Sequence, residues 1–408
     1  MSDSKKYHLF EVVGIELEYM MVNKESLKVV PFADKVLRDN LGNLSADVDR
    51  GVIGWSNELV SHVIELKTNG PVESTKFLDQ HFHKNIHEIN DSLANFGAML
   101  MPGGAHPTMD PFTETEIWPH EYNEVYALYN SIFDCCGHGW SNVQSTHINL
   151  PFANDSEFRL LHGAIRLILP IIPAISAASP FLDGKLTKTM DGRLEQYKLN
   201  QAKIPSIAGL IIPEPVYSKA DYQSQVFDKI YADIKPFDKE GILSNQFLNS
   251  RGAIARFDRN AIEIRLVDNQ ECPKADIAVV NLIVEVLKDL VNRIQDSHFK
   301  ISSEELRVIL DDCIKLGERT QISNKEFLMA LGFPPFPISA ETLWYSLFAR
   351  VKSQMPKYSS QDVETLLATG TLAGRMIKGA GTNPSAESLK KMMKDLCYCL
   401  ENNQFYLP

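Results

Sequence analysis

Carboxylates set inside apolar strands constrain this chain more than any other feature. From His8 to Met21 the residues alternate, with Val13, Ile15, Leu17 and Tyr19 on one parity and Gly14, Glu16 and Glu18 on the other. A period of two marks a strand, here with both glutamates on one face. The pattern recurs: Glu65 lies in Val63-Ile-Glu-Leu-Lys67, His147 in Ser145-Thr-His-Ile-Asn-Leu150, and Glu263 in Ala261-Ile-Glu-Ile-Arg-Leu-Val267. Carboxylates among aliphatic neighbours need cations or donors, because an unpaired charge away from water is strongly disfavoured. One E-x-E pair alone usually means a solvated strand face. Several such segments argue instead for one shared polar face.

By the same alternation His147 shares a side with Asn149, and Glu263 shares one with Arg265. Pairing these strands in a sheet gathers acids, an imidazole and a guanidinium. Oxygen ligands with one histidine suit magnesium or manganese, ions that also bridge nucleotide phosphates. Zinc fits poorly, since Cys135 with Cys136, Cys272, Cys313, Cys397 and Cys399 contain no C-x-x-C pair. Glu58 precedes Glu65 by seven residues, so on one continuous strand the two would face opposite sides. Both reach one cluster only across a bend or bulge.

Around this face, Leu78, Phe82, Ile86, Ile89, Leu93 and Phe96 recur at steps of three and four and predict an amphipathic helix. His81, His83 and His87 fall off that stripe and read as a solvated face rather than a zinc site. Gly103 and Gly104 match neither a P-loop nor a dinucleotide fingerprint, leaving an ordinary turn or a close approach to phosphate. Tyr122, Tyr126, Tyr129 and Phe133 have helical spacing and read as core. Beyond residue 300 strand signals fade, and helical segments flank Phe333-Pro-Pro-Phe-Pro337. The expected class is α+β, with short scattered strands arguing against a doubly wound parallel sheet. Residues 1–300 form the sheet domain bearing the site, and residues 301–408 a helical portion packed on it.

Forty-one Lys and Arg against fifty-two Asp and Glu leave a net charge of -11. This disfavours nonspecific binding to nucleic acid or to an anionic membrane. The most apolar stretch, Leu160 to Phe181, is broken by His162, Arg166, Pro170, Pro173 and Pro180 and makes no clean membrane span. With no secretory signal pattern at the start and sparse cysteines, a reducing, cytoplasmic setting is expected. No G-x-S-x-G and no cysteine–histidine signature points to an enzyme nucleophile.

Gly14-Ile-Glu-Leu-Glu18, Glu58 to Thr68, Gly104-Ala-His-Pro107, Ser145-Thr-His-Ile-Asn149, Ser176-Ala-Ala-Ser-Pro-Phe181 and Ile262-Glu-Ile-Arg-Leu-Val-Asp268 come in one order along the chain. As an ordered set they resemble the glutamate–cysteine ligase family, including its type 2 carboxylate–amine ligases. The resemblance covers residues 7–290, with weaker support from Gly370-Thr-Leu-Ala-Gly-Arg375. It implies a glutamine synthetase-like fold, a curved and mainly antiparallel sheet with flanking helices that carries ATP and two or three Mg2+ (or Mn2+) ions. By the same resemblance Glu16, Glu58 and Glu65 hold a metal at the amino-acid end. Glu18, His147 and Glu263 hold the metal on the ATP phosphates, and Arg265 meets the transferring phosphoryl group. Arg193, which ends the loop Asp183 to Arg193, is the implied ligand of a substrate carboxylate; an exposed loop arginine is the competing reading.

The chain departs from the pattern at Asn149, where many relatives have a second histidine, and at Ser-Ala-Ala-Ser-Pro, where a serine-rich run is usual. The implied reaction joins glutamate to an amine, cysteine first among them, through a γ-glutamyl phosphate. The partners are then small molecules, with homo-oligomers allowed. The rival readings are a phosphotransferase acting on a guanidino compound and a non-catalytic ATP or metal sensor.

Overall fold

The computed structural model describes residues 6–39, 41–243 and 248–408. Strands β1 (Gly14–Asn23), β2 (Asp47–Arg50), β3 (Ile53–Asn57), β4 (Val63–Thr68), β5 (Ala98–Met101), β6 (Ser145–Pro151), β7 (Phe181–Leu182), β8 (Lys185–Leu186), β9 (Ala253–Arg256) and β10 (Ala261–Asp268) precede the C-terminal helices. Eight of them form one sheet in the order β2-β3-β4-β1-β6-β10-β9, with β5 also paired to β1. Every pairing in it is antiparallel. β1 is central and long enough to serve two strands along one edge, β6 through Gly14 to Leu17 and β5 through Met20 to Asn23. The Gln144 side chain closes the gap between them, accepting from the Met20 amide at 2.7 Å.

The alternation in β1 divides the sheet into two chemically distinct faces. Ile15, Leu17 and Tyr19 are fully buried, and together with Trp55, Leu66, Ile148 and Ile264 they form the apolar face. Helices Leu78–Ala94, Asp155–Ile168 and Pro273–Val291 contribute Phe82, Ile86, Phe158, Val280 and Ile283 to the same core. Burying each such side chain contributes about 1.5–3 kcal/mol. The opposite face is left free to carry charge.

The core continues past residue 300 without a break. Helices Ala340–Val351 and Lys357–Thr369 pack on Pro273–Val291, and Trp344 donates from Nε1 to the Ile171 carbonyl at 2.8 Å. The C-terminal region is helical, apart from a short strand pair at Gln321–Ile322 and Ile338–Ser339. The segment from Asp183 to Arg193 is more ordered than a loop. β7 and β8 pair around Asp183 and Gly184, both at positive φ as a tight hairpin demands, and a helix begins at Gly192.

Candidate active site

Cross-strand register, rather than proximity in sequence, assembles the polar face. Glu16 of β1 lies opposite His147 of β6 and Lys67 of β4, while Glu18 lies opposite Glu65. Asn149 lies opposite Glu263, and Ser56 opposite Glu65. Directly opposed residues share a face, so one row of charge runs across β3, β4, β1, β6 and β10. Glu58 follows the end of β3, and the turn into β4 brings it back toward Glu65. The bend after β3 thus reconciles the two acids with their odd spacing.

His147 is the hub. Its Nδ1 is 2.9 Å from Glu16 Oε2 and 3.8 Å from Glu263 Oε1. Its Nε2 is 2.9 Å from Ser145 Oγ and 3.7 Å from Glu18 Oε1. Ser145 holds Glu18 doubly, the amide donating at 2.6 Å and the hydroxyl at 2.9 Å to Oε2. Asn149 donates to Glu16 Oε1 at 3.0 Å and braces that carboxylate. Two overlapping ligand sets result, Glu16 with His147 and Glu263, and Glu18 with Glu65 and His147.

The charges are out of balance. Burial alone would raise the Glu16 carboxyl, but its bond to His147 and the fields of His147, Arg265 and Lys67 bring it down to about 2. Burial pushes Glu65 up to about 7, helped by Glu16, and drives Glu58 well above the carboxylate range, helped by Glu18 and Glu65. His147 is shifted the other way from what burial favours, held charged chiefly by Glu16 and Glu18. Buried carboxyls that share too few cations, with ligand oxygens and a nitrogen within 4.8 Å of one another, fit hard divalent ions such as Mg2+ or Mn2+.

Arginines frame the far side. Glu263 is flanked by Arg256, whose Nη1 donates to Oε2 at 3.3 Å, and by Arg265, whose Nε is 3.5 Å from Oε1. Arg265 lies at a bulge, since Ile264 opposes Ile148 but Val267 opposes Thr146. Lys67 donates to Ser56 Oγ at 2.9 Å and lies 3.5 Å from Glu65, while Ser56 donates to Glu65 at 2.8 Å. Arg193 is not an exposed loop residue. It is buried at the start of helix Gly192–Tyr197 and donates from Nε to Asp268.

His81, His83 and His87 take no part: His83 and His87 meet the carbonyl and carboxylate of Glu401 on the C-terminal helix. Gly104 serves a close approach, but to the carboxylate of Asp268, which lies where a Cβ would stand. Alternation within each strand pointed to Glu16, Glu18, His147 and Glu263. It missed Ser56, Ser145, Arg256 and Asp268, whose roles come from register with another strand.

The comparisons point to one class of protein for this fold, the carboxylate–amine ligases. The model of glutamate–cysteine ligase family 2 matches residues 12–332. The chain belongs to glutamate–cysteine ligase family 2. An uncharacterized protein of Archaeoglobus fulgidus is 28% identical over 406 residues, covering 97% of this chain and 100% of that protein. The proposed glutamate–cysteine ligase 2 of Leptothrix cholodnii is 29% identical over 192 residues, or 45% of this chain and 46% of that one. The match thus spans less than half the length of that ligase. The crystal structure of glutamate–cysteine ligase from Francisella tularensis in complex with AMP superposes with a TM-score of 0.58. At 12% identity over 100% of this chain and 91% of that one, it establishes a shared fold.

Proposed function

We propose that the protein is an ATP-dependent γ-glutamyl ligase that joins glutamate to an amine, with cysteine as the first candidate. The observation that carries this reading is the pair of overlapping ligand sets on one sheet face, with Arg256 and Arg265 against Glu263. Glu16, Glu18, Glu58, Glu65, His147 and Glu263 are the residues that would hold Mg2+ or Mn2+. When bound, those ions neutralise triphosphate charge and stabilise the phosphoryl group in transfer.

The remaining chemistry falls to this chain's own side chains. Carboxylates buried beside a triphosphate repel it, so nucleotide binding is expected to depend on metal. Arg265, anchored by Glu263, is set to follow charge onto the equatorial oxygens of the γ-phosphate. Arg193 orients the glutamate so that its γ-carboxylate attacks phosphorus, giving an acyl phosphate and ADP. The amine then adds at the acyl carbon, phosphate leaves, and an amide forms. No enzyme nucleophile is required, because positioning and charge stabilisation supply most of the rate.

Product analysis with ATP, Mg2+ or Mn2+, glutamate and a panel of amines tests this reading. ADP, phosphate and a γ-glutamyl amide are expected in equal amounts. A phosphorylated guanidino compound without free phosphate would point instead to the phosphotransferase.

A further inference from the structure

We propose that Asp268 is the positioning residue that holds Arg193 ready for the substrate carboxylate, with Gly104 and Ser179 shaping its seat. The proposal rests on the reading of the site as one that activates a carboxylate.

Simple alternation through Glu263 and Arg265 would place Asp268 on the apolar face. The bulge between Ile264 and Val267 inserts one residue and restores Asp268 to the polar side, directly opposite Ser145. Ser145 in turn holds Glu18. Asp268 is therefore the continuation of the charged row, and it is completely buried.

Its carboxylate is fixed from several directions. Oδ2 accepts from the Ala178 amide at 2.7 Å and from Ser179 Oγ at 2.8 Å, and Oδ1 accepts from Arg193 Nε. Ser179 Oγ also accepts from the Arg193 amide at 3.0 Å, so the same hydroxyl ties together the arginine's backbone and its counter-ion. A methyl on Gly104 would stand 2.4 Å from Asp268 Oδ2, so the loop carrying Gly104 closes over the carboxylate only because it lacks a side chain. Segments far apart in sequence thus converge on one acid.

The arginine is left only partly satisfied. Its Nη2 is buried and has no hydrogen-bond partner among the described residues, although Nε is engaged. Asp191, the other acid nearby, caps the Leu194 amide at 2.8 Å, and the ion pair with Arg193 falls to Asp268. Asp268 lies opposite Ser145, which holds Glu18, so the arginine bound to Asp268 sits next to the metal-ligand cluster. A buried donor of this kind is costly unless a ligand completes it, and a carboxylate matches it in charge and geometry.

Glutamate binding to the full chain, measured by calorimetry with Mg2+ and a non-hydrolysable ATP analogue, tests the proposal. Asp268→Asn and Gly104→Ala should each weaken glutamate by about tenfold or more, the scale of one charge-assisted hydrogen bond. Nucleotide affinity should stay within about twofold in both. In an Arg193→Met background, Asp268→Asn should add no further loss, whereas an effect on general packing would add in full. Gly104→Ala keeps both the acid and the arginine in the chain and displaces the carboxylate rather than removing it, so it carries the test if the buried Asn variant fails to fold. Glutamate affinity unchanged in the variants, or glutamate and nucleotide lost together, would overturn the proposal alone. A wild-type protein that binds nucleotide but not glutamate would contradict the underlying reading, and the proposal with it.

Discussion

Single side chains in this protein carry strongly displaced protonation equilibria, and each displacement has an observable sign. Burial depresses His62 to about 4, and burial together with Arg166 depresses His162 to about 3. Both folded-state values lie below the unfolded value near 6.5. The stability these residues contribute is therefore complete above pH 6.5 and is lost as pH falls toward 4 and then 3. His162→Phe, at a position already stacked on Phe158, should flatten the dependence of melting temperature on pH between 6.5 and 4. Unchanged acid sensitivity would show that His162 does not titrate across that range. Glu263 is packed between two arginines and next to His147. Glu263→Gln should cut metal-dependent turnover by orders of magnitude while melting close to wild type; near-normal ligation would remove it from the site.

At the scale of elements, the paired strands β1 and β4 do two jobs on their two faces, and substitutions should separate them. Leu17→Ala opens a cavity in the core and should cost about 3 kcal/mol in a denaturant melt, with metal affinity retained. Glu65→Gln should do the reverse. Its folded-state value near 7 lies above that of the unfolded chain, so the acid's unfavourable contribution grows as pH rises from 4.5 and is full at pH 8. In a chelator at pH 8 the variant should melt higher than wild type, and Mn2+ should raise its melting point less. A lower melting point would mean that the carboxylate is already compensated. What could be read from sequence follows the same division. The period of two in β1, β4, β6 and β10 revealed the polar face and its acids, because a strand's side chains alternate whatever their partners. Asp268 was hidden, because a bulge reverses its parity and a bulge is a property of two paired strands. The hairpin at Asp183 and Gly184 was within reach through its turn residues. β2, β5 and β9 are short segments completed by neighbours and offered little periodicity to find.

Across the whole molecule, the helical C-terminal portion is joined to the sheet region by a continuous core and by buried charge. Arg375 pairs with Glu271 and donates to the Tyr406 carbonyl at 2.8 Å, while the Tyr406 amide donates to Glu271 at 3.0 Å. Glu271 lies three residues beyond Asp268, so this clasp ties the chain's end to the exit of the strand that carries the site. Arg375→Met leaves a buried carboxylate unpaired and should cost about 3–5 kcal/mol in a urea melt. A loss below about 1 kcal/mol would show the clasp to be dispensable. The fold, the family and the ligand clusters converge on carboxylate activation, and the direct test is to intercept the activated species. Hydroxylamine supplied with ATP, Mg2+ or Mn2+ and glutamate captures an acyl phosphate whatever the natural amine is. Glutamyl hydroxamate accompanied by ADP is the predicted result; purified, folded protein that forms neither hydroxamate nor ADP with any of a panel of carboxylates would contradict the account.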